Sequence, residues 1–326
     1  MRYIHRTVRA RDVTLLPRLP LPAATLALLL PAASLAEPAT APPQSVEEVV
    51  VSAPEPRYVA PTTRDRIGRI WAPVLINGMG PYRLVLDTGA SRSAISTKVA
   101  AELGLPIQAD SVRLQGVTGT SIASTVDVDT LEFGDLLVAN TRMPILADAF
   151  GGAEGVLGGE GLEDKRIVIE FRKDRISIMR SRRTPAPEGY SVVPFKYHPQ
   201  RGMRVKVTVG NVDAIAMIDT GAQRTIGNLA LHEALARRAG KADAFDVEVI
   251  GVTEDVQKAT PVRIPRFVAG DMVVRNAEIV FSDVYIFDHW QVRDQPAMLI
   301  GMDLLGLLDT LVIDYRRSEL QLKTMR

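Results

Sequence analysis

The stretch Leu84–Ser91 (LVLDTGAS) organises the interpretation of this chain, because it recurs as Ala216–Gln223 (AMIDTGAQ). Each copy is an aliphatic run of the kind that forms a buried strand, and each run ends abruptly in Asp-Thr-Gly-Ala. A lone Asp-Thr-Gly is typical of an ordinary turn. Two copies in the same local frame, 132 positions apart, predict that Asp87 and Asp219 are brought face to face.

The remainder of the chain repeats in the same order around these two stretches. Gly116 has a counterpart at Gly251, Gly134 at Gly270, Gly158 at Gly301 and Ile167 at Leu311. The offset grows from 132 through 135, 136 and 143 to 144, as expected for a duplicated unit whose second copy has longer loops. We therefore predict a first lobe over residues 69–180, an inter-lobe linker over 181–192 and a second lobe over 193–326.

Residues 1–36 have the pattern of a signal peptide. A basic start is followed by an apolar run over residues 21–30 and by Ser34-Leu35-Ala36, a cleavage pattern ahead of Glu37. The apolar run is too short, and too interrupted by Pro22 and Pro31, for a comfortable membrane span. We therefore predict a periplasmic or secreted protein. A disordered N-terminus and an uncleaved anchor are the alternatives.

Residues 37–68 are rich in Pro, Ala, Thr and Glu, which predicts a linker. Within it, residues 46–53 (VEEVVVSA) form a short β-prone run that could add to a sheet as a strand. This run resembles the TonB box of outer-membrane TonB-dependent receptors, which implies a weak TonB-like contact of the N-terminal tail. An ordinary linker or a propeptide-like strand is the alternative.

The composition excludes several classes of site. The chain has no Cys, which rules out a catalytic thiol, a zinc–thiolate site and disulfides. The formal charge is +1, but residues 1–36 carry a balance of +4, which leaves −3 for the remainder. A mildly acidic mature chain without a basic stripe gives no support for a nucleic acid partner.

The paired carboxylates permit hydrolysis without a cofactor or a metal. Two carboxylates held about 3 Å apart cannot both ionise, so they share a proton. The charged member can act as a general base on a water, and the protonated member can polarise a carbonyl. We therefore predict Asp87 and Asp219 as the catalytic residues, with acid and base roles that belong to the pair.

The neighbours of the two Asp residues fit this interpretation. Thr88 and Thr220 have hydroxyls that could hydrogen-bond across to the opposite loop and support the dyad. Gly89 and Gly221 permit a tight turn and a close approach of the backbone.

These motifs resemble those of the retropepsin-like aspartic proteases, in particular exported bacterial members with two repeats in one chain. The segment Leu299–Leu305 (LIGMDLL) is similar to the family's apolar-apolar-Gly segment. The resemblance covers residues 69–326. It implies a mostly β fold of two pseudo-symmetric closed β-barrel lobes with a few short helices, and a cleft between the lobes with the dyad at its floor.

The same resemblance implies two flaps that close over an extended peptide. Their tips would be Gly116-Val117-Thr118-Gly119-Thr120 in the first lobe and Gly251-Val252-Thr253-Glu254-Asp255 in the second. The copies differ here, since Glu254 and Asp255 replace Gly119 and Thr120. They differ again where Gln223 stands at the position of Ser91. These differences argue against symmetric substrate binding.

Both copies have Ala after Asp-Thr-Gly, at Ala90 and Ala222. A Ser or Thr there would add a hydrogen bond to the ionised carboxylate, and its absence raises the carboxyl pKa. The sequence therefore predicts a mildly acidic to near-neutral optimum.

Other candidates are weaker. The four His residues have no metal-ligand spacing, and Ser91 and Ser93 lack a plausible His partner. Tyr285, Phe287 and Trp290 lie where the second copy is longer, and either line the cleft or pack in the core. Arg92 and Arg224 hold matched positions, and either bind substrate or make ion pairs between the lobes.

The sequence thus predicts an aspartic endopeptidase that acts on extended protein segments, as a monomer built like an internal dimer. The alternative is a non-catalytic peptide-binding module of the same fold, and a cleft built between two chains also stays open.

Overall fold

The computed structural model describes residues 58–61, 70–146, 152–237, 247–250 and 256–325. The predicted signal peptide, the TonB-like run and the second flap tip at 251–255 lie outside these residues. The fold is mostly β with two closed lobes, which confirms the predicted fold class.

The first repeat forms the first barrel. A strand that precedes the repeat, β1 (Tyr58–Pro61), is followed by the strands of the repeat: β2 (Trp71–Ile76), β3 (Met79–Leu86), β4 (Ala94–Ser96), β5 (Ile107–Gln115), β6 (Thr120–Phe133), β7 (Leu136–Leu146), β8 (Gly155–Leu157), β9 (Lys165–Glu170) and β10 (Arg175–Arg180). The barrel closes because β2 pairs with both β3 and β6, so that six strands run in the order β2-β3-β8-β4-β7-β6 and β5 extends β6 outside the ring.

The second repeat forms the second barrel. Its strands are β11 (Ser191–His198), β12 (Gly202–Val209), β13 (Val212–Ile218), β14 (Ile226–Gly227), β15 (Val247–Ile250), β16 (Val256–Ala269), β17 (Met272–Phe281), β18 (Ala297–Ile300), β19 (Leu308–Asp314) and β20 (Glu319–Thr324). The barrel closes in the same way as the first, with the order β12-β13-β18-β14-β17-β16 and a return pairing between β12 and β16.

A sheet made by both repeats joins the two barrels. The order β1-β10-β9-β19-β20-β11 places β9 of the first repeat beside β19 of the second. At this junction Arg166 Nη1 donates to Asp314 Oδ2 at 3.0 Å, and Asp314 is fully buried. Strand β1 falls within residues 37–68, so the predicted linker contains a short strand at the edge of this sheet.

Four short helices cover the ends of the barrels in the part of the chain that the structure describes: α1 (Thr97–Glu102), α2 (Leu229–Ala236), α3 (Ile286–His289) and α4 (Met302–Leu305). The first two begin at side-chain caps, because Ser96 Oγ accepts from Val99 N and Asn228 Oδ1 accepts from Leu231 N. No helix within the described ranges is long and apolar enough to cross a membrane.

The strands around Asp87 and Asp219 differ in how much of each strand is buried. On β2 buried and half-buried residues alternate, as on a strand with one face toward a core. Strand β18 is buried at all four positions, because Met298 and Ile300 pack in the main core and Ala297 and Leu299 pack in a second apolar cluster. The ends of β3 and β13, which precede Asp87 and Asp219, are likewise fully buried aliphatic runs.

Candidate active site

Each dyad residue stands at the end of a buried strand and is tied to its own lobe. The backbone N–H of Asp87 donates to Leu157 O at 3.0 Å, and that of Asp219 donates to Ile300 O at 3.0 Å. These contacts continue the parallel pairs β3–β8 and β13–β18. The apolar-apolar-Gly segment of each repeat therefore sets where its Asp emerges from the core.

The turn after each Asp supplies donors to its carboxylate. Gly89 N and Ala90 N donate to Asp87 Oδ1 at 2.8 and 2.9 Å. In the second lobe, Gly221 N and Ala222 N donate to Asp219 Oδ1 at 2.9 and 3.0 Å. Because these N–H groups favour the charged form, each loop lowers the cost of ionising its own carboxyl.

Thr88 and Thr220 join the two loops across the lobe boundary. Each backbone N–H donates to the other's hydroxyl oxygen at 3.1 Å. Each hydroxyl in turn donates to the carbonyl ahead of the opposite Asp, from Thr88 to Ile218 O at 2.8 Å and from Thr220 to Leu86 O at 2.6 Å. Four buried hydrogen bonds thus fix one loop against the other.

The two Gly residues make room for the opposing carboxyl. A Cβ on Gly89 would lie 2.7 Å from Asp219 Oδ2, and one on Gly221 would lie 2.5 Å from Asp87 Cγ. Neither Gly has a positive φ. Gly is therefore required at these positions because the opposing carboxyl lies so close, and not because of the backbone conformation. Of the two reasons that the sequence suggests, a tight turn and a close approach, the structure supports the second.

The carboxyls of Asp87 and Asp219 share a hydrogen bond, so the fold brings them into direct contact. Burial raises the pKa of Asp219 well above its ordinary value, and the charge of Asp87 and the shared hydrogen bond raise it further. The N–H groups of Ala222 and Gly221 oppose this rise. Asp219 is 6% exposed, whereas Asp87 is half-buried. Two carboxyls in such close contact resist ionising together.

A family model described as aspartyl protease matches residues 72–160 and 205–304. Each matched region holds one Asp-Thr-Gly-Ala loop and its apolar-apolar-Gly segment. The chain belongs to the aspartyl protease family. Its two matched regions and two closed lobes are those of a two-domain retropepsin-like aspartic protease. Comparison with curated protein sequences gives no match.

Behind each Asp-Thr-Gly-Ala loop of this member of the aspartyl protease family lies a half-buried acid that sequence reasoning missed. In the first lobe Ser93 N donates to Glu160 Oε1 at 2.6 Å. In the second, Thr225 N donates to Asp303 Oδ2 at 2.9 Å and the Thr225 hydroxyl donates to Asp303 Oδ1 at 2.6 Å. The offset of 143 that relates Gly158 to Gly301 also relates Glu160 to Asp303, so the repeat contained the signal.

The first flap tip, Gly116–Gly119, is a turn between β5 and β6, and Gly116 N donates to Gly119 O at 2.8 Å. Its Val117 O accepts from Ile286 N of α3 at 3.1 Å. Beside it, the Tyr285 hydroxyl donates to Gln115 Oε1 at 2.8 Å. The insertion of the second repeat therefore holds the flap of the first lobe.

The structure describes the predicted tip of the first flap but not that of the second. Val117 packs against the apolar cluster around Phe287 and Trp290, and Thr118 is buried. Gly251, Val252 and Thr253, with the charges at 254 and 255, lie outside the described residues.

The weaker candidates take structural positions. Phe287 and Trp290 are buried in a core cluster, which favours packing over a cleft wall. Arg224 Nη1 lies 3.3 Å from Glu278 Oε1 of its own lobe, so this ion pair does not join the lobes. Ring nitrogen Nε2 of His289 lies 3.2 Å from Gln200 O. In the described part of the chain, no three His, Asp or Glu side chains are grouped as a metal site requires.

Proposed function

We propose that this chain is an aspartic endopeptidase that hydrolyses peptide bonds with a water activated by Asp87 and Asp219. The observation that carries the proposal is the contact between the two carboxyls, which the threonine hydrogen bonds fix and which Gly89 and Gly221 make room for. The family membership supports peptidase chemistry, and the geometry supports these two residues as its agents.

The reaction follows from one proton shared by two acids. The ionised carboxylate removes a proton from the water while the oxygen attacks the peptide carbonyl carbon. The protonated carboxyl gives its proton to the carbonyl oxygen, which yields a neutral tetrahedral diol. The C–N bond then breaks as the nitrogen takes a proton from the dyad and a diol hydroxyl returns one. Such sharing is the known behaviour of aspartic-protease dyads in general, and its pKa values belong to the pair.

The substrate class we propose is an extended protein segment in the periplasm. A segment in the cleft would lie between the dyad and the flap tip at Gly116–Gly119, and an extended strand is the form in which such clefts bind peptides. The signal-peptide pattern of residues 1–36 supports an exported enzyme.

The function is tested by incubating the purified chain with a peptide library over a pH series and reading new termini by mass spectrometry. We expect cleavage that a pepstatin-type inhibitor blocks, because a statine hydroxyl takes the place of the attacking water. Absence of cleavage at every pH, with tight binding of the inhibitor, would instead support the peptide-binding module. Cleavage insensitive to the inhibitor and to substitution of either Asp would contradict the mechanism.

A further inference from the structure

Two acids outside the dyad occupy equivalent places in the two repeats. Glu160 follows the first apolar-apolar-Gly segment and Asp303 follows the second, 143 positions later. Each receives the backbone N–H of a hydroxyl residue six positions after a catalytic Asp, namely Ser93 and Thr225. Each acid therefore anchors the far end of a catalytic loop.

A hydroxyl relay completes each anchor. Gly158 N donates to Ser93 Oγ at 3.0 Å, and Gly301 N donates to Thr225 Oγ1 at 3.1 Å. Because the Thr225 oxygen accepts from Gly301 N, its own proton is directed to Asp303. The apolar-apolar-Gly segment, the hydroxyl and the acid thus form one continuous tie behind each loop.

The two anchors differ in how many acceptors they use. Both oxygens of Asp303 accept from Thr225, and Oδ1 also accepts from Leu304 N at 2.9 Å. Glu160 is one methylene longer. Its carboxyl accepts from Ser93 N at Oε1, from the Ser93 hydroxyl and from its own backbone N–H. Its buried Oε2 nevertheless has no hydrogen-bond partner in the part of the chain that the structure describes.

Few charges face either acid. Burial raises the pKa of Glu160 and outweighs its hydrogen bonds to Ser93 and the charge of Arg92. Tyr197, half-buried, faces Glu160 and Glu163. Burial likewise raises the pKa of Asp303 against its bonds to Thr225 and the charge of Arg224.

We propose that Glu160 and Asp303 are positioning residues that hold the loops of Asp87 and Asp219, and that they are not equivalent: Asp303 needs both of its oxygens as acceptors, whereas one acceptor is enough at Glu160. The proposal rests on the proposed function of the dyad and deepens it. Its chemical content is that an amide can replace the carboxyl at 160 but not at 303.

The hydrogen-bond donors around each acid determine whether an amide can replace its carboxyl. In Glu160→Gln the amide oxygen can still accept from Ser93 N, and the amide nitrogen takes the place of an oxygen that has no partner within the described residues. In Asp303→Asn only one oxygen is left for the Thr225 N–H and the Thr225 hydroxyl, and the amide nitrogen faces a donor. In Asp303→Asn the Thr225 N–H therefore loses the acceptor that it has in the wild type, and a buried group that loses its partner is costly. In Glu160→Gln no protein donor loses an acceptor, because the replaced oxygen has no partner within the described residues.

A loosened loop has a signature in the pH profile. The N–H groups that donate to the two carboxylates come from residues 89, 90, 221 and 222, on the same loops. If such a loop moves, these bonds lengthen and the ionised dyad loses stabilisation. The acidic limb of kcat/KM then moves to higher pH, an effect that a change in folding stability alone does not produce.

The experiment compares the full-length wild type with Glu160→Gln, Asp303→Asn and the control Glu154→Gln on one peptide that the wild type cleaves. Glu154 is a matched control because Oε2 also accepts a backbone N–H, from Arg83 at 2.8 Å, away from the catalytic loops. We expect Asp303→Asn to lower kcat about tenfold or more with KM within about twofold, the scale of one lost buried hydrogen bond. The acidic limb of its kcat/KM profile moves to higher pH.

Glu160→Gln is expected to lose no more than about fivefold in kcat, as fits one weakened hydrogen bond. The Glu154→Gln control keeps the acidic limb of the wild-type kcat/KM profile. Equal effects at 160 and 303, or an unmoved limb in Asp303→Asn, would overturn the proposal. Should Asp303→Asn fail to fold, Thr225→Val replaces it, and Thr225→Ser must restore the wild-type limb because it keeps the hydroxyl.

A second readout does not need turnover and so separates this proposal from the proposed function. Burial raises the pKa of folded Glu160 above its ordinary value of 4.5. The stability of the wild type relative to Glu160→Gln is therefore greatest below that value and falls as pH rises through the folded pKa. Chemical denaturation from pH 4 to pH 8 measures this difference, and a flat difference would contradict the buried anchor even if the chain cleaves nothing.

Discussion

Thr88 and Thr220 each donate a backbone N–H to the other's hydroxyl oxygen at 3.1 Å, across the boundary between two lobes. Both side chains are buried, and each hydroxyl also donates to the carbonyl ahead of the opposite Asp. The distance between the carboxyls of Asp87 and Asp219 is therefore set by backbone and hydroxyl groups rather than by the carboxyls themselves. The dyad is held together despite the repulsion that two charges would produce.

Removal of one of these hydroxyls should loosen the dyad. Thr220→Val leaves Thr88 N and Leu86 O without partners, and we expect a loss of about 2–4 kcal/mol in unfolding free energy, since each buried unpaired group costs about 1–3 kcal/mol. Thr220→Ser keeps the hydroxyl and is the matched control. Urea denaturation measures both. Equal stability of the Val and Ser variants would show that the cross-lobe bonds contribute nothing.

The glycines should be irreplaceable for activity, not merely for folding. In Gly89→Ala the new Cβ meets the Asp219 carboxyl at 2.7 Å, so the two acids must separate. We expect kcat to fall about 100-fold or more, since small misplacements of reacting groups cost that much. Gly104→Ala is the control, because its Cβ meets nothing within 4 Å and the positive φ costs about 1–2 kcal/mol of stability. Comparable kcat losses in both variants would contradict this account.

The pH dependence should show a coupled dyad in which the pKa of Asp219 is raised. Burial and the charge of Asp87 raise the pKa of Asp219, and neither Ala90 nor Ala222 offers a hydroxyl to lower it. We therefore expect a bell-shaped profile with a mildly acidic to near-neutral maximum. A maximum below about pH 3.5 would contradict this, because free carboxyls titrate near 4.

The unfolding free energy should also depend on the ionisation of Asp219. Because the folded pKa of Asp219 lies above its ordinary value of 3.8, its contribution is full below that value and is lost as pH rises through the folded pKa. The unfolding free energy of the wild type relative to Asp219→Asn should therefore fall as pH rises from about 4.

The first flap should open more readily when its contact with α3 is weakened. Tyr285→Phe removes the hydroxyl that donates to Gln115, and such a partly exposed bond contributes about 0.5–1.5 kcal/mol. We expect amide exchange at residues 116–119 to accelerate about two- to tenfold, measured by hydrogen exchange and mass spectrometry. Tyr190→Phe, in the inter-lobe linker, is the control. Unchanged exchange at the flap would mean that Val117 alone holds it.

Much of the fold and the dyad is predictable from the sequence because the information is local. Helices α1 and α2 are examples, because each begins at a capping side chain next to it in the sequence, Ser96 and Asn228. The dyad is predictable because a duplicated motif requires a common frame, so that matched ends of matched strands face each other across a pseudo-symmetric axis.

Other features depend on pairings between distant segments. Nothing near Arg166 or Asp314 indicates that β9 and β19 lie side by side, because register between distant strands is not written in either one. The role of α3 is similar, since the insertion is visible in the growing offset but its contact with Val117 is not. Glu160 could have been found by carrying the repeat alignment two residues beyond Gly158.

The most direct test of the central claim is the cleavage rate of Asp87→Asn and Asp219→Asn, each beside Asp213→Asn, an exposed Asp on the strand that leads to Asp219. Each Asn keeps the size of the side chain but removes the shared proton that the reaction needs. We expect kcat to fall at least about 1,000-fold in both dyad variants, the upper range for loss of general acid–base catalysis, and to stay at the wild-type level in the control. Full activity in either dyad variant would contradict the account.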